Sequence, residues 1–114
     1  MNVDMSTHFT GISGMVAAAS ERAVEATAQQ VLMDCNFYCK EDTGALIDSS
    51  LIWSETNKGL LRWVTPYAEF QYDFPNTRHH KNPHATPQWC NTAQNNHLTE
   101  WGNVFADAVR RFPN

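Results

Sequence analysis

The hydrophobic pattern changes character several times along the chain. Residues 1–13 are polar for the most part, carry no period, and predict a flexible N-terminal arm. Ser13 or Gly14 can open a helix. Beyond it Ala17, Val24, Ala28, Val31, Cys35 and Tyr38 recur at helical spacings, with Val16 and Leu32 widening the stripe. Glu21, Arg22, Glu25 and Gln29 fall outside it. The alanine-rich stretch from 14 to 38 predicts one helix about 36 Å long, more than a small core can cover.

Asp42 or Thr43 can cap a short turn carrying Leu46 and Ile47. Two apolar runs follow, Leu51-Ile52-Trp53 and Leu60-Leu61-Arg62-Trp63-Val64, with Asn57-Lys58-Gly59 between them as a turn. They predict a hairpin that brings Trp53 near Trp63. Pro66 ends the second run. Tyr67, Phe70 and Tyr72 form an aromatic rim, and residues 73–86 read as a long loop. Thr86 as cap with Pro87 in the first turn predicts a C-terminal helix. Its inner face would hold Cys90, Ala93, His97, Trp101, Val104, Ala108 and Phe112.

Composition narrows the class. At 114 residues, 42% of them hydrophobic, the chain fits one domain with a modest core. Four Trp, three Tyr and six Phe exclude a solvated, disordered chain. A formal net charge of −4 disfavours a nucleic-acid binder. The one basic cluster, Arg78-His79-His80-Lys81, is too small to hold DNA at physiological salt. No stretch reads as a signal peptide or a membrane span, so a cytoplasmic origin is expected. Three cysteines, Cys35, Cys39 and Cys90, argue against a disulfide framework.

Candidate chemistry is thin. His79, His80, His84 and Cys90 gather the metal-capable side chains, but without the paired spacings zinc requires, so no metal or other cofactor is expected. Cys90 with His84 or His97 imitates a thiol–imidazole pair without an oxyanion hole, so no enzyme is expected. Trp89 divides evenly between core and interface readings. A lone hairpin is marginal in water and its free edges invite another chain, which suits a subunit completed by its neighbours.

The order of short boxes resembles a family. Asp42-Thr43-Gly44-Ala45-Leu46 with Asp48 and Ser49, then Pro66-Tyr67-Ala68, then Lys81-Asn82-Pro83, then Pro87 with Trp89 and Trp101, is similar to the neck or tail-completion proteins of long-tailed bacteriophages, also described as minor capsid proteins. The chain departs from that pattern at Ile47, where relatives carry a basic residue. The resemblance implies a structural protein of the virion at the head-to-tail junction. Such a protein would be assembled in the host cytoplasm, would form or join a ring around the DNA channel, and would meet connector and tail proteins. No specific nucleic-acid contact and no membrane partner are expected.

The expected fold is α+β: an arm over 1–13, then one domain over 14–114 with a long first helix, a hairpin or small antiparallel sheet, and a C-terminal helix packed on it. Leu46, Trp53, Trp63 and Trp101 are expected in the core. Tyr67, Phe70, Tyr72, Arg78, Lys81 and Trp89 are expected at contacts between subunits or rings. Removal of the Tyr72 ring would then spare solubility and cost the joining of heads to tails. The alternatives are a tail terminator or head-completion ring, a small non-viral interaction module, and a metal-binding regulator.

Overall fold

The structure, a computed structural model, describes residues 1–9, 11–16, 18–39, 44–73 and 82–114. In chain order the elements are β1 (Asn2–Asp4), α1 (Met5–His8), α2 (Ser13–Val16), α3 (Glu21–Phe37), α4 (Ala45–Trp53), β2 (Leu60–Arg62), α5 (Ala68–Asp73) and α6 (Trp89–Arg111), with a 3-10 turn at Thr56–Lys58. The fold is α+β, mostly helical, with a two-stranded antiparallel sheet.

Two helices form the frame. In α3 the buried stripe is Ala23, Val24, Thr27, Ala28, Val31, Leu32 and Cys35. In α6 it is Trp89, Cys90, Ala93, Trp101, Phe105 and Ala108. The helices run antiparallel. Ser20 Oγ donates to the Phe112 carbonyl at one end. In the middle the Trp101 indole N–H donates to Asp34 Oδ2 at 2.7 Å. At the other end Tyr38 Oη and His97 Nε2 lie 3.3 Å apart.

The first helix is shorter than its alanine content predicts. Ser20 has extended backbone and its hydroxyl accepts from the Ala23 N–H, so the chain restarts there as α3. A side-chain cap satisfies an otherwise orphaned helix donor and outweighs alanine's propensity to continue. At the other frame helix, Gln88 takes a left-handed conformation (φ 49°) and α6 begins at Trp89, two residues after Pro87. Tertiary bonds hold that approach in place. Thr86 N–H donates to the Tyr38 carbonyl at 3.0 Å and Gln88 N–H to the Tyr72 carbonyl at 2.5 Å.

Residues 1–9 and 11–13 do not stand off as an arm. Val3 in β1 pairs with Leu61 in β2, and the register runs from Asn2 opposite Arg62 to Asp4 opposite Leu60. Met5, Phe9 and Ile12 are fully buried, and Phe9 meets the Trp101 ring edge-on with centroids 5.0 Å apart. The Asp4 carboxylate accepts from Ser6 N–H and so starts α1. Strand, helix and turn succeed one another here every few residues. The apolar positions therefore show neither period two nor period 3.6.

The predicted hairpin is also replaced. Leu51-Ile52-Trp53 is the last turn of α4, and the partner of β2 is the N-terminal strand. The turn chemistry itself holds. Gly59 sits at φ 68°, and Glu55 and Leu60 exchange backbone hydrogen bonds across the turn. A Cβ at Gly59 would also lie 3.2 Å from Val24 Cγ1, so the site excludes other residues twice over.

Candidate assembly surface

The helix α4 has its polarity reversed at its C-terminal half. Gly44, at φ 86°, supplies the left-handed entry into it. Leu46 faces inward, and beside it so do Ser49 and Ser50, both buried. Leu51 and Ile52 face out and Trp53 is exposed at the helix end; the three are 65%, 72% and 55% exposed.

The inward serines have clear work. Ser49 Oγ donates to the Leu46 carbonyl at 2.7 Å and accepts the Val64 N–H at 2.9 Å. Ser50 Oγ donates to the Ile47 carbonyl at 2.7 Å and accepts from Asn36 Nδ2 at 2.8 Å. Asn36 Oδ1 in turn accepts the buried Trp63 indole N–H at 2.9 Å. Ser54 Oγ accepts the Arg62 N–H at 2.9 Å. Leu60, Arg62 and Val64 thus spend their N–H groups on Glu55, Ser54 and Ser49. The expectation of an open sheet edge awaiting a neighbour is therefore corrected along this side of β2. The Glu55 carbonyl and two serine hydroxyls close it, because a buried N–H without a partner would cost free energy.

What stays open is apolar surface rather than backbone. Val64, tied to α4 through Ser49, is exposed, as are Tyr67 and Phe70 just beyond it. With Leu51, Ile52 and Trp53 they are six large apolar side chains exposed between positions 51 and 70.

The residues singled out by sequence separate as follows. Leu46, Trp63 and Trp101 are core residues. Trp53, expected in the core beside Trp63, is exposed; Trp63 instead meets Trp89, with centroids 5.9 Å apart. Trp89, weighed as a contact residue, is fully buried and has no surface to offer. Tyr72 packs edge-on against it at 4.7 Å, so removing that ring would open the core before it touched a partner. Tyr67 and Phe70 lie on the apolar surface. Pro66 leads into α5 and Pro87 precedes the bend at Gln88. Asp42, Thr43, Arg78, Lys81, His79 and His80 lie outside the described residues. Asn82, from the same box as Lys81, ties the loop to α3: its amide donates to the carbonyls of Phe37 at 2.8 Å and Cys39 at 2.9 Å. His84 stacks on Phe37 with ring centroids 4.4 Å apart.

Leu51 and Ile52 escaped the sequence reading. Their signal was present. Three consecutive apolar residues cannot all face one side of a helix or a strand, so some must point outward.

Among the described residues, Asp34, His97 and Glu100 bring three metal-capable side chains within 4.8 Å of one another. Each already has a protein partner. His97 Nδ1 lies 3.2 Å from Glu100 and its Nε2 faces Tyr38, while Asp34 accepts from Trp101 and from Gln30. The cluster joins α3 to α6.

All three cysteines are buried. Burial, with Cys90 as hydrogen-bonding neighbour, raises the Cys35 thiol well above 9.0, and burial likewise raises the Tyr72 phenol above 10.0. The unfolded chain sheds these protons first as pH rises, so it binds fewer protons than the folded chain. Stability is then complete below about pH 9 and falls above it. Urea midpoints measured across that range should decline, and a flat or rising midpoint would contradict the assignment.

The family model described as minor capsid protein matches residues 3–109. This chain belongs to that phage minor capsid family. The match starts in β1 and ends near the close of α6, so it takes in the N-terminal strand together with α4 and both frame helices. Comparison with curated proteins and with solved structures gives no match. A minor capsid protein is a structural component of the virion. No helix among the described residues is long and apolar enough to cross a membrane.

Proposed function

We propose that this minor capsid protein serves at the head-to-tail junction, as a neck or tail-completion subunit of a ring around the DNA channel that meets connector and tail proteins. The observation that carries this is α4, with serines turned inward and Leu51, Ile52 and Trp53 exposed. The monomer uses the serines for its own hydrogen bonds but gains nothing from the exposed apolar side chains, whereas a subunit buried in an assembly gains about 1.5–3 kcal/mol for each large side chain covered. The net charge of −4 supports the placement. A conduit must pass DNA without gripping it, and an acidic wall repels phosphate.

Electron density of the assembled particle tests the position. Copies of this fold are expected in a ring at the collar, with the α4 face covered. Copies found only on the head shell would place the protein elsewhere in the virion.

A further inference from the structure

The groove between the α2 region and the C-terminal half of α6 is apolar and open. It encloses about 490 Å³ between Met15, Ala18 and Ala19 on one wall and Phe105, Ala106 and Val109 on the other. That volume lies in the range that admits ligand-sized groups. Each wall also carries a glycine, Gly14 and Gly102, at which a Cβ would meet nothing within 4 Å. Gly102 sits inside α6 in helical conformation, where alanine would stabilise the helix. Nothing in the folded chain requires either glycine. Both leave the backbone bare along the groove wall.

The same chain carries an exposed apolar edge. Leu51, Ile52 and Trp53 protrude from α4, which packs on β2, whereas the groove belongs to α2 and α6. The frame helix α3 packs against α6 and also against β2 and the 3-10 turn, so different elements carry the knob and the groove. Charge agrees with the pairing. Arg110 and Arg111 follow Val109 at the groove's end and share one carboxylate, Asp107, at 3.6 and 3.0 Å. Asp48 is exposed on α4, beside the knob.

We infer that the groove receives the Leu51-Ile52 knob of a second copy of this chain. Different patches then meet at each contact, which makes the interface head-to-tail. A repeated head-to-tail contact closes into a ring where its rotation allows. The inference rests on the ring reading above and specifies its geometry.

Two variants test it, one for each half. Ile52→Asp spoils the knob and Gly102→Leu fills the groove; both positions are open in the monomer, so circular dichroism should show each variant folded. Native mass spectrometry and sedimentation are expected to show the wild type self-associating and each variant alone about 100-fold weaker. Mixed together, the two variants should form a one-to-one pair and stop there. The first variant still has a groove, the second still has a knob, and neither can extend further. Gly102→Ala should raise Tm by roughly 4 °C while weakening self-association, a split that a purely structural glycine would not give.

A wild type that remains monomeric up to about 1 mM, or a variant mixture without the pair, overturns the head-to-tail seat. The junction reading is judged separately, on particles. Unjoined heads and tails with Ile52→Asp, despite a monomeric wild type, would leave that reading standing with another virion protein over the knob.

Discussion

Trp101→Ala is expected to lower Tm by roughly 15 °C, while Trp53→Ala leaves it within about 2 °C. Sequence position alone treats the two tryptophans alike, and the fold separates them. Trp101 is fully buried between α6 and α3, meets Phe9 edge-on, and spends its indole N–H on Asp34. Its truncation leaves a cavity worth about 3–5 kcal/mol and removes a charge-assisted hydrogen bond. A domain of this size holds on the order of 10 kcal/mol in total. Trp53, by contrast, is 55% exposed on the last turn of α4, and alanine there favours the helix. Trp101→Phe separates the two contributions. It keeps most of the ring contact and loses only the N–H, so its Tm should fall between the extremes. Thermal melts followed by far-ultraviolet circular dichroism read all three. Equal losses at positions 53 and 101 would contradict the burial described above.

The frame was legible because its helices are long enough to show a period. Val24, Ala28, Val31, Leu32 and Cys35 mark α3 by spacing alone, and Cys90, Ala93, Trp101 and Ala108 mark α6. Both stripes are buried. The small antiparallel sheet and the turn at Gly59 were legible too, the turn through its glycine chemistry. The partner of β2 was not. Strand pairing across some sixty residues leaves no local trace, and β1 is three residues long. Val3, Met5, Phe9 and Ile12 were concealed by their polar neighbours, since each belongs to a different local conformation.

The apolar surface was half legible. Tyr67 and Phe70 stood out as aromatics beyond a strand-ending proline. The α4 knob was concealed by an ordinary inference, that a run of Leu, Ile and Trp goes inside. Two buried serines overturn it. Ser49 and Ser50 occupy inner positions because the Val64 N–H and the Asn36 amide need acceptors there. The helix therefore turns Leu51 and Ile52 away, and Trp53 is exposed at its last position. Inward polarity and outward apolarity in α4 are coupled through the hydrogen bonds of Val64, just past β2, and of Asn36 in α3.

The double variant Leu51→Asp/Ile52→Asp follows from that coupling, and its expected outcome is a folded protein with few joined particles. Both side chains are exposed, 65% and 72%, so their replacement removes no core contact and the Tm should shift by no more than a few degrees. In an assembly the same change has two costs. About 1.5–3 kcal/mol of burial is lost at each position, and each carboxylate must be desolvated against an apolar partner. Together these make roughly 5 kcal/mol or more, over a thousandfold in affinity at a single contact. A ring repeats its contact, so the loss compounds around the circle. Particles made with the double variant are expected to accumulate as separate heads and tails, countable by electron microscopy, with infectivity reduced at least in proportion. The conservative pair Leu51→Val/Ile52→Val keeps an apolar face and should restore joining. Fully joined, infectious particles from a folded double-aspartate protein would show that the α4 face meets nothing in the virion. The inward serines would then be explained by the needs of Val64 and Asn36 alone.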